Sequence, residues 1–446
     1  MVNIDRSRIK TLIEREEERY IAERQKSRAL FQRAKGSLFR GVPMSWMTEW
    51  PGAFPVFVTE AKDARLTDVD GHTYVDLCLG DSGALTGHSP TPAADAIAKQ
   101  VYKGMTCMLP SEDSVWVGEE LARRFGLPYW QIYTTATDAD RFAIKMARRA
   151  TGRNLVLVYD GCYHGSVDEA LVSVSGGPYK AQRRSVVGPL PNPASRVIQF
   201  NDLDTLEKAL SPQDVACVLC EPAMTNAGII LPEPGYHAAL REITRRFGTL
   251  LIIDETHTIS AGPGGLTRIW NLEPDFFTIG KAIASGLPVA ALGLAEEVAA
   301  KLDTGERSFG LGVGGTLAGS VIQAAAIRAT LEHVLTQEAY DRMITITKRL
   351  ADGVAEIIKD NHLPWHVNRL GCRAEYRFCP VPPKNGLESE EAFDDDLDAL
   401  VHVYMANRGI LLTPFHSMVL ISPATTAEDA DLHNQVFGEL VNELVK

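Results

Sequence analysis

The sequence predicts an α/β protein: a mainly parallel central sheet flanked by helices, plus a smaller α+β lobe. Three observations carry that prediction. From about residue 90, short apolar runs of strand length alternate with helical stretches, as a sheet wound by right-handed crossovers requires. Two of those runs lead directly into a reactive residue, LLII into Asp254 and FFTIG into Lys281, and each is followed by small or glycine-rich turn residues. After about residue 318 a long helical run, AGSVIQAAAIRATLEHVL, opens a stretch of different texture. Open α/β sheets bind ligands at the carboxyl ends of their strands, so Asp254 and Lys281 share one crevice if their strands are near neighbours.

The elements follow in chain order. The first 20 residues are densely charged and lack the apolar core of a secretory signal, so a cytoplasmic protein is expected. Residues 5–35 have helical composition with a broken apolar stripe (Ile9, Leu12, Ile13, Tyr20, Ile21), which reads as a solvated arm packed on another surface. FRGVPMSWMTEWPGAFPVF reads as a loop in which Trp46 and Trp50 either line a pocket or pack beneath the chain. A hairpin-like pair follows, with its turn at Asp70-Gly71. Strands are expected over 130–133, 155–159, 215–219, 250–253, 276–279 and 289–292, then over 373–378 and 410–412 in the last lobe. The expected domains are an arm and hairpin segment over 1–75, a large domain over 76–335 and a small C-terminal domain over 336–446.

A charge of −12 argues against nucleic acid or an anionic membrane as the main partner, and no apolar run is long enough to span a bilayer. The seven cysteines follow no disulfide framework. Cys217 and Cys220 form a CxxC without a second ligand pair, and alternation along a strand splits them between faces, so buried structural thiols are expected and no metal site.

The remaining chemistry gathers at strand ends. In YTTATDADRF a strand gives way to Thr135, Ala136 and Thr137 and then to a helix, whose first backbone N–H groups can bind a phosphate; Thr137 could equally be a plain N-cap. Asp138 and Asp140 would repel a phosphate and so should point away from it. GCYHG sets Tyr163 after a strand, where its ring could stack on a flat cofactor, CEPAM sets Glu221 at another strand end, and GGTLAGS sets Thr316 before the long helix. A lysine for an aldehyde, a carboxylate for a pyridine nitrogen, a stacking ring and a phosphate cradle together describe a site for pyridoxal 5'-phosphate.

On these residues the chain resembles the class III aminotransferase family of fold type I pyridoxal phosphate enzymes, nearest to members like glutamate-1-semialdehyde aminomutase and β-amino-acid aminotransferase. The resemblance makes Lys281 the Schiff-base lysine that later shuttles a proton, Asp254 the partner of the ring nitrogen and Thr135, Ala136 and Thr137 the phosphate cup. It also makes Tyr163 the stacking ring, Glu221 the strand-end glutamate near the site and Thr256 the residue beneath the ring. Thr316 would reach the phosphate of a neighbouring subunit, which implies a homodimer.

Four features depart from the family pattern: Ala136 for a glycine, Asp140 for an asparagine, Ser320 where an asparagine is common, and the segment THTISAGPGG, which puts His257 in an unusual place. Donation by the cup survives alanine only where that residue has negative φ. For His257 a packing or hydrogen-bonded role is expected. Arg377, with Arg373, is a candidate for a substrate carboxylate, although Glu375 on the same face suits an ion-pair ladder equally; Trp46, Trp50 and Phe415 are candidates for an amine pocket. The expected activity is a ping-pong aminotransferase acting on an amine donor and a keto acid. The alternatives are an aminomutase or epimerase, and a catalytically silent protein on the same scaffold.

Overall fold

The structure, a computed structural model, describes residues 4–174, 180–183, 194–303 and 312–445. The chain forms two compact units: Thr91–Gln337 with Pro383–Glu391, and Met1–Pro90 with Glu338–Pro382 and Ala392–Lys446. Among the described residues no helix is long and apolar enough to cross a membrane.

The larger unit is built on β1 (Tyr129–Tyr133), β2 (Leu155–Tyr159), β3 (Ser195–Ile198), β4 (Val215–Cys220), β5 (Leu250–Asp254), β6 (Phe276–Gly280) and β7 (Ala290–Leu294). Their order in the sheet is β1-β7-β6-β5-β4-β2-β3. All pairings from β6 to β3 are parallel, and β7 runs antiparallel to both of its neighbours. The six apolar runs expected in this region are all strands. The strand missed by sequence, β3, is a four-residue edge strand whose Arg196 pairs with Asp214 at 2.6 Å. Charge on an edge strand discourages pairing with other chains, and it also breaks the apolar signature.

The inner strands bury both faces. Val156, Val158, Cys217, Leu219, Ile252 and Phe276 belong to one apolar cluster, and Leu157, Tyr159, Val218, Cys220, Leu251 and Ile253 to another. Cys217 and Cys220 are therefore split between faces, both buried thiols. The helix α1 (Ala136–Thr151) follows β1 and lays Ala139, Ala143, Met146 and Ala147 against the first cluster. It ends at Gly152, whose φ of 69° is a conformation glycine adopts without steric cost.

In the smaller unit the hairpin turns at Asp70-Gly71, where Gly71 has φ 97°, between strands Arg65–Asp68 and Thr73–Asp76. Val58–Lys62 and Ile410–Leu411 complete that sheet, and His366–Leu370, Arg373–Arg377 and Met418–Leu420 form a second.

The helical stretch expected over residues 5–35 is two helices, Arg6–Glu23 and Gln25–Ala34, and the first packs along one stripe while most of its other residues stay exposed, as expected of an arm packed on another surface. Ile9, Leu12, Glu16 and Tyr20 are buried, and the break falls at Arg24. The Arg24 guanidinium, 1% exposed, donates to Tyr74 Oη at 3.0 Å, Asn407 Oδ1 at 2.9 Å and the Ala406 carbonyl at 3.0 Å. Propensity alone carries no sign of this break, because it is set by partners far along the chain. Removing one side of a buried charged network leaves the other side unsatisfied, so Arg24→Met should lower unfolding stability by about 3 kcal/mol in chemical denaturation. A variant as stable as the parent would show that the break has another cause.

Candidate active site

β5 and β6 pair in parallel with Asp254 opposite Thr278, so Asp254 closes β5 and Lys281 follows β6 immediately. The condition that the two strands be neighbours is met. The backbone turns at Lys281 with φ 51°, a left-handed conformation that is uncommon for a residue with a Cβ and clusters at functional sites. The turn sends the chain into a short 3₁₀ segment, Lys281–Ala284, and the Lys281 amine lies 2.6 Å from Nε2 of His257.

Asp254 is 4% exposed. Its Oδ2 is 2.8 Å from His164 Nδ1, and its Oδ1 accepts from the Thr256 N–H at 2.9 Å. Burial alone would raise its pKa, but the His164 contact and the Thr256 donors outweigh that and hold it below the ordinary carboxylate range. Burial alone would lower the pKa of His164, yet the hydrogen bond to Asp254 holds it well above the usual imidazole range. Asp140, on the inner face of α1, accepts from Thr278 Oγ1 at 2.6 Å. Burial and the charge of Asp254 push its carboxyl well up, against the Thr278 hydrogen bond. The surroundings thus favour the charged forms of Asp254 and His164 and the neutral form of Asp140. Asp140 does avoid the helix N-terminus, by turning into the sheet, while Asp138 folds back onto Thr135 Oγ1 at 3.0 Å.

At the N-terminus of α1, Thr135 is the N-cap, accepting from the Asp138 N–H, and Ala136 is the first helical residue. Its φ is not positive, so its N–H keeps the direction a phosphate cup needs despite the loss of the glycine. The hydroxyl of Thr137 accepts from the Ser166 N–H at 3.1 Å, and a Cβ built on Gly165 would lie 2.1 Å from that oxygen. Glycine is required for this close approach, which ties the loop carrying Tyr163 to the cup. Tyr163 is half-buried, and its carbonyl accepts from Asn226 Nδ2 at 3.5 Å. Glu221, just past β4, takes the Thr225 N–H at 3.2 Å and the Thr225 hydroxyl, and burial pushes its pKa up. Thr256 is buried, and Thr316 is exposed on this chain.

The sequence offered no signal for the link between Asp254 and His257. Glu255 is wholly buried and accepts from Thr258 Oγ1 at 2.6 Å, the Leu266 N–H at 3.1 Å and the Thr267 N–H. Gly265, with φ 62°, passes so close that a Cβ would lie 2.4 Å from that carboxylate. The GPGG stretch thus wraps Glu255, and the fold-back carries His257 to Lys281.

In the smaller unit, Trp46 is 48% exposed with its ring 5.5 Å from that of Phe415, while Trp50 packs against the cluster of Tyr20, Phe31 and Phe54. Arg377 lies 3.5 Å from Glu375, which also meets His416 at 3.2 Å, and Arg373 donates to Ser82 Oγ at 3.0 Å. Burial opposes ionisation of Glu375, but His416 and the two arginines hold its pKa below the ordinary range. The charges of this strand are largely answered within their own unit.

Taken together, the larger unit offers a buried carboxylate, an amine, an open helix N-terminus and an aromatic ring, the donor set of pyridoxal 5'-phosphate. Thr256 Oγ1 and His164 Nε2 are buried without a hydrogen-bond partner among the described residues, as expected where a polar group completes the site. The ligating atoms of Asp140, His164 and Asp254 also lie within 4.8 Å of one another, as in a metal site.

Comparisons with known proteins agree with this geometry. Residues 47–442 match the sequence profile described as aminotransferase class-III. A glutamate-1-semialdehyde 2,1-aminomutase of Desulfitobacterium hafniense is 32% identical over 91% of this chain and 96% of its own length. A glutamate-1-semialdehyde aminomutase of Pseudomonas aeruginosa PAO1, a Lys-to-Ala variant solved in complex with PMP, superposes with a TM-score of 0.96 at 46% identity, covering 99% of each chain. An omega-transaminase of Sphaerobacter thermophilus superposes at 0.86 with 26% identity, over 94% of this chain and 97% of its own.

Because burial beside Asp254 favours the neutral acid at Asp140, its amide analogue should replace it. Asp140→Asn should keep cofactor affinity within about threefold in a spectrophotometric titration, whereas Asp140→Leu, which strips Thr278 of its partner, should weaken it by about tenfold. Equal loss in both variants would mean that Asp140 is ionised.

Proposed function

Because the chain belongs to the class III aminotransferase family and is a pyridoxal phosphate-dependent enzyme of fold type I, we propose that it acts as an aminomutase, moving an amino group between adjacent carbons of one substrate. The observation that carries this reading is the 46% identity, over 99% of both chains, to a structure named as a glutamate-1-semialdehyde aminomutase. The curated relative from Desulfitobacterium carries the same activity in its name. The aminotransferase expected from the sequence becomes the second reading, which the likeness to an omega-transaminase keeps in play.

The cofactor supplies an aldehyde carbon that bonds amines and a ring that draws electron density from the neighbouring carbon. The chain supplies the rest. Asp254, kept anionic by His164, would hold the proton on the ring nitrogen. Thr135, Ala136 and Thr137 would bind the phosphate through the N-terminus of α1. The Tyr163 ring and Thr256 would bracket the cofactor plane, with Glu221 alongside. The Lys281 amine would carry the proton between the substrate carbon and the cofactor carbon that bonds the amine. Thr316 would serve the phosphate of a second copy, making the enzyme a homodimer. Trp46, Phe415 and Arg377 are the proposed substrate contacts of the smaller unit, while Trp50 has packing contacts that account for it.

A 2,1-aminomutase acting on glutamate 1-semialdehyde yields 5-amino-4-oxopentanoate with no second substrate. Cofactor-loaded protein given that aldehyde alone should form this product, followed by chromatography, without consuming any keto acid. Turnover only when an amine donor is paired with pyruvate or 2-oxoglutarate would establish the aminotransferase instead.

A further inference from the structure

We infer that His257 is the base that takes the proton from the Lys281 ammonium and so readies the lysine to bond the cofactor aldehyde. The inference deepens the functional reading and rests on Lys281 being the cofactor lysine. Its footing is the 2.6 Å separation of His257 Nε2 from Lys281 Nζ, at a place where the family pattern led to no expectation of a titratable group.

The chemistry sets a requirement that this contact meets. A lysine at neutral pH carries a proton, and an ammonium has no lone pair with which to attack a carbonyl carbon. An acceptor must stand within hydrogen-bond reach of the nitrogen, and a neutral imidazole is the side chain best suited to that exchange near pH 7. Two cations at this separation would repel strongly, so the contact suits one N–H donor and one acceptor nitrogen. The proton balance is complete. Nζ gives one proton to Nε2, and its freed lone pair forms the C–N bond to the aldehyde carbon as the C=O π bond opens onto oxygen. A second Nζ proton passes to that oxygen and His257 returns the first to it, so that water leaves as the C–O bond breaks and the third proton stays on the C=N nitrogen.

The surrounding structure fixes this geometry rather than leaving it to a mobile side chain. His257 is 7% exposed and sits at the head of the 3₁₀ segment Thr258–Ala261, with its carbonyl accepting from the Ser260 N–H at 3.2 Å. On one side Thr256 is tied to Asp254, and on the other Glu255 is gripped by Thr258, Leu266 and Thr267. The left-handed turn at Lys281 sets where its side chain leaves the backbone. The buried Glu255 and its GPGG wrap thus have a purpose beyond packing: they aim the imidazole at the amine.

The test is the rate at which the visible absorption band forms when pyridoxal 5'-phosphate is mixed with apoprotein at pH 7.5. His257→Ala should slow it at least about tenfold, and added free imidazole should restore much of the rate, since it can refill the cavity and accept the proton. His257→Gln, which keeps a hydrogen bond but cannot take a proton, should be slow as well and guards against misfolding of the alanine variant. Wild-type rates in His257→Gln, or slow capture in His257→Ala that imidazole leaves unchanged, would overturn the inference. Lys281→Ala keeps the two readings apart: a band that forms without Lys281 would instead remove the assignment of the cofactor lysine.

Discussion

The parallel register of β5 on β6 is the constraint on which the rest of the site depends. With Asp254 opposite Thr278, the acid that ends one strand and the lysine that follows the next emerge at the same edge of the sheet. A slip of one residue would turn each side chain to the opposite face, and the site would be lost before any packing was. That register is specified because both faces of the inner strands are buried, in two apolar clusters that leave no equivalent alternative.

Charge is arranged around the same point. A lone carboxylate as buried as Asp254 would prefer to be neutral, and a neutral acid could not hold a proton on a pyridine nitrogen. The 2.8 Å bond to His164 reverses that preference. Where this chain carries a second acid, Asp140, burial and the neighbouring charge of Asp254 push its carboxyl up, against the opposing pull of the Thr278 hydrogen bond. Two carboxyl groups within 4.8 Å are thus shifted in opposite directions, one toward its charged form and one toward its neutral form.

The architecture was largely legible in the sequence, since the inner strands are uninterrupted apolar runs and each is followed by its chemistry. The placing of Asp254, Lys281 and Thr135 to Thr137 at strand ends could be read from local pattern, while the roles proposed for them come from the family resemblance. What escaped was set by contacts between distant segments. The break at Arg24 depends on Tyr74 and Asn407, the edge strand Ser195–Ile198 carries an ionic partner in place of an apolar run, and the upward shift of the Asp140 carboxyl depends on its burial beside Asp254. The segment THTISAGPGG was opaque for the same reason. Its logic lies in the burial of Glu255 under Leu266 and Thr267, which periodicity does not report.

Every functional statement about this chain depends on the bond between the cofactor and one particular amine. Borohydride reduction of the cofactor-loaded protein fixes that bond permanently, and peptide mass spectrometry then locates it. The account predicts a phosphopyridoxyl group on Lys281 in the peptide that follows FFTIG. The same group on another lysine, or none in protein that has taken up the cofactor, would contradict it.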